Sequence, residues 1–302
     1  MRQFSHVLCP VDFSETSVRA TTYAMAFAGW YGAGLTLLHV VPTLDAAIEP
    51  VVGLDEAERI LLAASRSDVL AELRRLAGPA VEGDRTTLIA DSGLVHATIL
   101  RHAASLPADL LVMGTHGRSG FSRLFLGSVT ERVLRNAPCP VLTVPPAPST
   151  GAPLPVVFKN ILCGVDFSPA SIAALQWALE LGRQSGGRVT VLHAIEFLHE
   201  KEPSPFLDLD LAKYHRQAIK RAGEWLHERL AGEPQTWCAI DEVVAVGRGA
   251  ELLLSRSADG GADLIVMGAQ GAGGIELMLS GSTSQPVLRG ASCPVRSVPA
   301  NR

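Results

Sequence analysis

Two glycine-rich stretches carry the most specific chemistry in this chain. Gly114-Thr115-His116-Gly117 is followed at a fixed distance by Gly127-Ser128, and Gly268-Ala269-Gln270-Gly271 by Gly281-Ser282, so the pattern G-x2-G-x9-G-S occurs twice. Glycine admits positive φ and leaves no Cβ in the way, so backbone N–H groups can approach an anion. Gly127-Ser128-Val129-Thr130 then opens an expected helix whose N-terminal amides and two hydroxyls suit a phosphate. A single glycine-rich loop would be read equally well as a plain turn. Two copies at identical spacing favour a phosphate cradle.

Asp12 and Asp166 each sit in a Val-Asp-Phe-Ser string at the end of an expected strand. A carboxylate there has three uses: accepting from ribose hydroxyls, holding a divalent metal against phosphates, or forming an Asx turn before the next helix. His39 and His193, flanked by apolar residues, read as satisfied core or turn histidines. The backbone of Val40 and Ala194, just after them, is placed to meet a base edge. His116 has Gln270 as its counterpart and receives no catalytic role.

The elements that would position these residues are themselves duplicated. At an offset of 154 residues, Leu8-Cys9 meets Leu162-Cys163, Val112-Met113-Gly114 meets Val266-Met267-Gly268, and Cys139-Pro140-Val141 meets Cys293-Pro294-Val295, with no insertion between the blocks. Solenoid units recur every ~20 to 50 residues, so this is a whole domain in tandem. The expected boundaries are domain one over 1–146, a proline-rich linker over 147–156 and domain two over 157–302. In the first half, apolar runs at 6–11, 35–41, 85–90, 110–113 and 141–144 read as buried strands, and 14–31, 54–77, 93–104 and 128–136 as helices. Such alternation predicts an α/β fold, a mostly parallel sheet with helices on both faces, whose ligands bind beyond the carboxyl ends of the strands. Ser14 is the expected N-cap of the first helix, and Ser168-Pro169 repeats it.

Composition narrows the classes. The 302 residues carry 26 basic and 30 acidic side chains, which leaves no electrostatic footprint for nucleic acid or an anionic membrane. No run approaches the ~20 apolar residues of a membrane helix. Met1-Arg2-Gln3-Phe4 leads straight into a strand-like segment with no secretory pattern, so the expected location is the cytoplasm. Five cysteines without a CxxC pair read as reduced, buried thiols.

Together, the Val-Asp-Phe-Ser and Leu-His strand ends, the doubled G-x2-G-x9-G-S loop and the closing Cys-Pro-Val strand resemble the universal stress protein family, in its ATP-binding branch. The resemblance covers nearly all of both halves. It implies two tandem Rossmann-like domains of the adenine nucleotide alpha hydrolase type, each with a five-stranded parallel sheet of order 3-2-1-4-5, pairing through the last strand. It also implies ATP in the crevice, accompanied by magnesium or manganese. Carried over by position, it puts the ribose and metal role on Asp12, with Pro10 and Val11 beside the base. Val40 becomes a backbone contact to adenine and Met113 a pocket wall, while Gly114, Gly117, Gly127, Ser128, Val129 and Thr130 hold phosphates. Arg118 is counted among the nucleotide-binding residues, and slow hydrolysis would place Arg118 or Arg123 near the terminal phosphate. The second set is Gly164, Val165, Asp166, Ala194, Met267, Gly268, Gly271, Gly281, Ser282, Thr283 and Ser284. Because Arg118, Arg123 and Arg132 become Ala272, Leu277 and Pro286, the second site is expected to be weaker.

The function this implies is an ATP-binding regulator of stress responses, acting through a protein partner that the residues do not specify. The alternative is a slow ATP hydrolase or nucleotidyl-processing enzyme using the same pocket. There is no GxxxxGK[ST] motif and no lysine in the first 150 residues, so a P-loop ATPase is excluded. A homodimer is plausible from the family, although the two halves of one chain could satisfy each other's pairing edges as an internal pseudo-dimer.

Overall fold

The structure, a computed structural model, describes residues 4–43, 56–78, 85–117, 126–147, 156–196, 211–232, 238–269 and 282–299. The chain divides into two units, Met1–Val156 and Val157–Arg302.

In the first unit, β1 (His6–Pro10), β2 (Gly34–Pro42), β3 (Thr86–Gly93), β4 (Leu110–Gly114) and β5 (Val141–Val144) alternate with α1 (Glu15–Tyr31), α2 (Glu56–Ala77), α3 (Val95–Ser105) and α4 (Ser128–Asn136). All described pairings within it are parallel, in the order β3-β2-β1-β4-β5. The second unit repeats this with β6 (Asn160–Gly164), α5 (Pro169–Ser185), β7 (Arg188–Ile195), α6 (Leu211–Leu230), β8 (Ala239–Val246), α7 (Gly249–Asp259), β9 (Leu264–Gly268), α8 (Ser284–Gly290) and β10 (Val295–Val298), in the order β8-β7-β6-β9-β10. The expected 3-2-1-4-5 order therefore holds in each half. In both, the order reverses between the first and fourth strands of the unit, which opens a crevice at their carboxyl ends.

The central strands are buried on both faces, as their unbroken apolar runs require: every residue of β4 and β5 is buried, and so are Val7, Leu8 and Cys9 of β1. Burial pushes the Cys9 and Cys163 thiols up to about 12, outweighing a hydrogen bond from Thr21 in the case of Cys9, so neither is a thiolate near neutral pH. All five cysteines are buried.

Local punctuation repeats as well. The Ser14 hydroxyl accepts from the Ser17 N–H at the start of α1, and the Ser168 hydroxyl accepts from Ser171 N–H at the start of α5. Gly32 and Gly186 end the two helices in the left-handed conformation, at φ 62° and 56°. Asp109 and Asp263, just ahead of β4 and β9, bind the backbone N–H groups of Ser5 and His6 and of Lys159 and Asn160, holding the first strand of each sheet in register.

β3 runs to Gly93, three residues beyond its apolar core, because Asp91, Ser92 and Gly93 pair with Val40, Val41 and Pro42. Polar residues at an edge strand hide this extension from a hydrophobicity pattern. Most of the expected linker lies outside the described residues. The two residues just before it are held by Arg19, whose guanidinium donates to the carbonyls of Pro145 and Pro146 at 2.6 and 2.8 Å.

Candidate functional site

The site starts from the end of β1. Asp12 follows Pro10 and Val11 and is half-buried; its Oδ1 accepts from the Ser14 N–H at 3.0 Å and the Ser14 hydroxyl at 2.5 Å. This is the Asx turn, and Asp166 repeats it with Ser168 at 3.1 and 2.6 Å. The turn is completed by a feature the sequence hides: Phe13 and Phe167 adopt left-handed backbone, at φ 61° and 66°. That conformation is unfavourable for a bulky residue. It is offset by ring packing. Phe13 stacks on His39 with centroids 4.8 Å apart, and Phe167 on His193 at 4.1 Å. Each imidazole Nδ1–H donates to the carbonyl one residue before the aspartate, Val11 at 2.7 Å and Val165 at 2.8 Å. The histidines are thus satisfied turn residues. The sequence shows that Phe and His both recur at the 154-residue offset, but not the backbone conformation that stacks them.

Facing this turn is the loop after β4. Its chain is pinned from below: Thr16 Oγ1 donates to the His116 carbonyl, and the Ser14 hydroxyl reaches the same oxygen at 3.5 Å. The Gly127 N–H donates to the Thr115 carbonyl at 2.8 Å and the Thr130 hydroxyl to the Gly114 carbonyl at 2.9 Å, which brings the start of α4 back over the strand end. An ideal Cβ on Gly117 would lie 2.9 Å from Asp12 Oδ2, so the loop closes onto the aspartate. α4 begins at Ser128 with Gly127 as its N-cap and no side-chain cap, leaving its first amides to another acceptor. Asp12, Gly117, Gly127, Ser128 and Val129 therefore gather at one end of the sheet. Val11, Val40 and Met113 have buried side chains there.

One expectation needs correction. None of the described loop glycines, Gly114, Gly117, Gly127, Gly164 or Gly268, has positive φ. They are needed for close approach. A Cβ on Gly127 would meet the Thr115 carbonyl at 3.2 Å, and one on Gly268 would meet the Ser171 backbone nitrogen at 2.8 Å. The Thr130 side chain, expected at phosphate, is buried and spent on Gly114. Arg118, Arg123, Gly271 and Gly281 lie outside the described residues.

In the second half Gly164 ends β6, Val165 and Asp166 follow, Ala194 lies in β7, and Met267 and Gly268 end β9. Here the last helix starts at Ser284, two residues later than the repeat predicts, with Thr283 as N-cap, so Ser282 is exposed and outside the helix. Asp166 is exposed where Asp12 is half-buried.

For ATP, the residues in the first half fit: a carboxylate at the strand end, a backbone loop closely approached by its neighbours at Gly117 and Gly127, and uncapped helix amides beside it. No group of three or more metal-ligating side chains exists among the described residues, so a divalent cation there would need ligand atoms from the nucleotide itself. No helix is long and apolar enough to cross a membrane among the described residues.

Comparison with known proteins agrees with this architecture. The chain is 32% identical over 295 residues to the universal stress protein Rv2005c of Mycobacterium tuberculosis, covering 96% of this chain and 95% of that one. It is 32% identical over 141 residues to the universal stress protein MJ0531 of Methanocaldococcus jannaschii, covering 47% of this chain and 82% of that one. The crystal structure of a universal stress protein from Archaeoglobus fulgidus superposes with a TM-score of 0.64 at 22% identity, covering 97% and 96% of the two chains, a likeness of fold. The model of the universal stress protein family matches residues 3–145 and again 158–299, so the chain belongs to that family, as a tandem member.

Proposed function

We propose that this chain is a nucleotide-dependent regulator whose first half binds ATP at the carboxyl end of its sheet. The observation that carries the proposal is the closure of Gly117 onto Asp12, where a Cβ would come within 2.9 Å of Oδ2, beside the uncapped start of α4. Asp12 is locked in orientation by Ser14 and faces the sugar or a nucleotide-bound magnesium or manganese ion. The amides of Ser128 and Val129 take phosphate oxygens, aided by the helix dipole. Val40 supplies backbone groups to the base. Regulation rather than turnover is favoured because Asp12 Oδ1 already accepts two bonds from Ser14, and the 150 residues of the first half contain no lysine to neutralise charge developing on a transferred phosphoryl group. The nucleotide state would be passed on to a protein partner.

The experiment is mass spectrometry of the supernatant from freshly purified, denatured protein, followed by calorimetric titration of ATP with magnesium. ATP is expected in the supernatant, and Asp12→Asn, which keeps the acceptor for Ser14, is expected to weaken binding. Absence of any adenine nucleotide together with no heat at millimolar ATP overturns the proposal. Multiple-turnover phosphate release that Asp12→Asn abolishes would make the protein an enzyme instead.

A further inference from the structure

Ser14 and Thr16 stand at the start of α1, and each hydroxyl has one proton to donate. The Ser14 proton lies on Asp12 Oδ1 at 2.5 Å, its shortest contact, which leaves none for the His116 carbonyl at 3.5 Å. Thr16 is therefore the donor that holds this carbonyl. Its side chain is buried and reaches the oxygen through the space left by Gly114, where an ideal Cβ would lie 2.6 Å from Thr16 Oγ1. A trans peptide sends its C=O and N–H in opposite directions, and no peptide bond is cis among the described residues. With the His116 oxygen drawn toward α1, the Gly117 N–H points away from that helix. This amide has no hydrogen-bond partner among the described residues, and Gly117 is only half-buried. The start of α4 stands beside it: an ideal Cβ on Gly127 would lie 3.8 Å from His116 Cα.

The second half dispenses with the hydroxyl. At the position of Thr16 it has Ala170, also buried. Yet α5 lies as close to its strand end as α1 does, since an ideal Cβ on Gly268 would be 3.0 Å from the Ala170 carbonyl carbon and one on Gly114 would be 3.0 Å from that of Thr16. Packing of helix on strand thus does not call for a hydroxyl. What the hydroxyl adds is the orientation of one peptide.

From this geometry we infer that Thr16 is a positioning residue for nucleotide binding in the first half: it turns the peptide between His116 and Gly117 so that the Gly117 N–H is presented to a phosphate oxygen beside the first amides of α4. The inference rests on the nucleotide-binding reading above and deepens it. A donor fixed before the anion arrives needs no reorganisation on binding, and its bond to a charged oxygen is stronger than one between neutral groups.

The test combines calorimetric titration of ATP with magnesium and NMR of the Gly117 amide in the full chain. His116-Gly117 is the only His-Gly pair in the sequence, so isotope labels on the histidine carbonyl and the glycine nitrogen isolate this amide. Its resonance is expected to move downfield when ATP saturates the wild type. Thr16→Val removes the donor at nearly constant volume. It is expected to weaken ATP binding about tenfold or more, the scale of a lost hydrogen bond to a charged group, and to abolish most of the Gly117 shift even at saturation. Thr16→Ser, which keeps the hydroxyl, should restore both. If the valine variant does not fold, Thr16→Ala, which matches Ala170, takes its place. The inference is overturned by a Gly117 amide that stays in place while the wild type saturates, by unchanged ATP affinity without the hydroxyl, or by weakened affinity with the full Gly117 shift at saturation. The last result would mean that Thr16 serves only the stability of the fold. If the wild type gives no heat with ATP, the nucleotide reading fails and this inference falls with it.

Discussion

The Thr16 hydroxyl stands where a side chain on Gly114 would have to go: an ideal Cβ on Gly114 would lie 2.6 Å from Thr16 Oγ1 and 3.0 Å from the Thr16 carbonyl carbon. The first contact could be relieved by a rotamer change, but the second is helix backbone. Gly268 has the same relationship to Ala170 and Ser171, with approaches of 3.0 and 2.8 Å to their backbone atoms. These first glycines of each motif exist to let α1 and α5 lie directly on a strand end. Gly114→Ala and Gly268→Ala are therefore expected to destabilise their units by about 1 to 3 kcal/mol through overpacking. Denaturant unfolding of each variant checks this, and an unchanged midpoint for both would show that the strand end yields without cost.

The two phosphate cradles should differ in strength for ATP. α4 begins directly after Gly127, whereas α8 starts only at Ser284 and is seven residues long. Fewer aligned amides mean a weaker dipole at the anion. Three arginines of the first half are also replaced by Ala272, Leu277 and Pro286. If each lost charge is worth about 0.5 to 1 kcal/mol, ATP affinity falls by about one to two decades. Calorimetry on Gly117→Glu and Gly271→Glu proteins reads the two sites separately, and a tighter ATP site remaining in Gly117→Glu would contradict the order.

Much of this fold could be read before the structure because the sheet is parallel and buried. Its strands are short apolar runs, the first helix of each half carries a Ser cap and a Gly stop, and the 154-residue repeat checks each assignment against a second copy. The positions of Asp12, Gly117 and Gly127 were legible for the same reason. What escaped was set by tertiary contact. Positive φ went to Phe13 and Phe167, whose cost is offset by a stacked histidine, and not to the described loop glycines, which propensity alone would favour. The Glu196 to Gly249 bond spans 53 residues and breaks the repeat, so neither local pattern nor self-alignment reveals it.

The edge strand of the first sheet carries a three-residue charge cluster built around Asp91. Asp91 at the end of β3 accepts from His102 Nε2 at 2.7 Å and from the Arg101 guanidinium at 2.8 Å, both on α3, while the second half has Ala245 at the matching position. Partial burial works against ionisation of Asp91, but the bonds from His102, Arg101 and the Ser92 N–H outweigh it and hold the carboxyl down at about 2. The unfolded value is about 3.9, so the folded state favours the charged form. Its contribution is fully present above about pH 4 and is lost as the pH falls through about 2. Arg101 is well exposed, so the contribution should be of the order of a surface network, about 1 kcal/mol. Asp91→Asn is expected to lower the unfolding midpoint of the first unit at pH 7 by a few degrees. The gap to wild type should narrow as pH is brought from 4 towards 2, while Asp241→Asn in the second half, whose partner Arg188 is also exposed, should change little at any pH. Thermal unfolding of the three proteins across that range decides the matter: a gap that stays constant down to pH 2 would mean that Asp91 acts through packing and not through its charge.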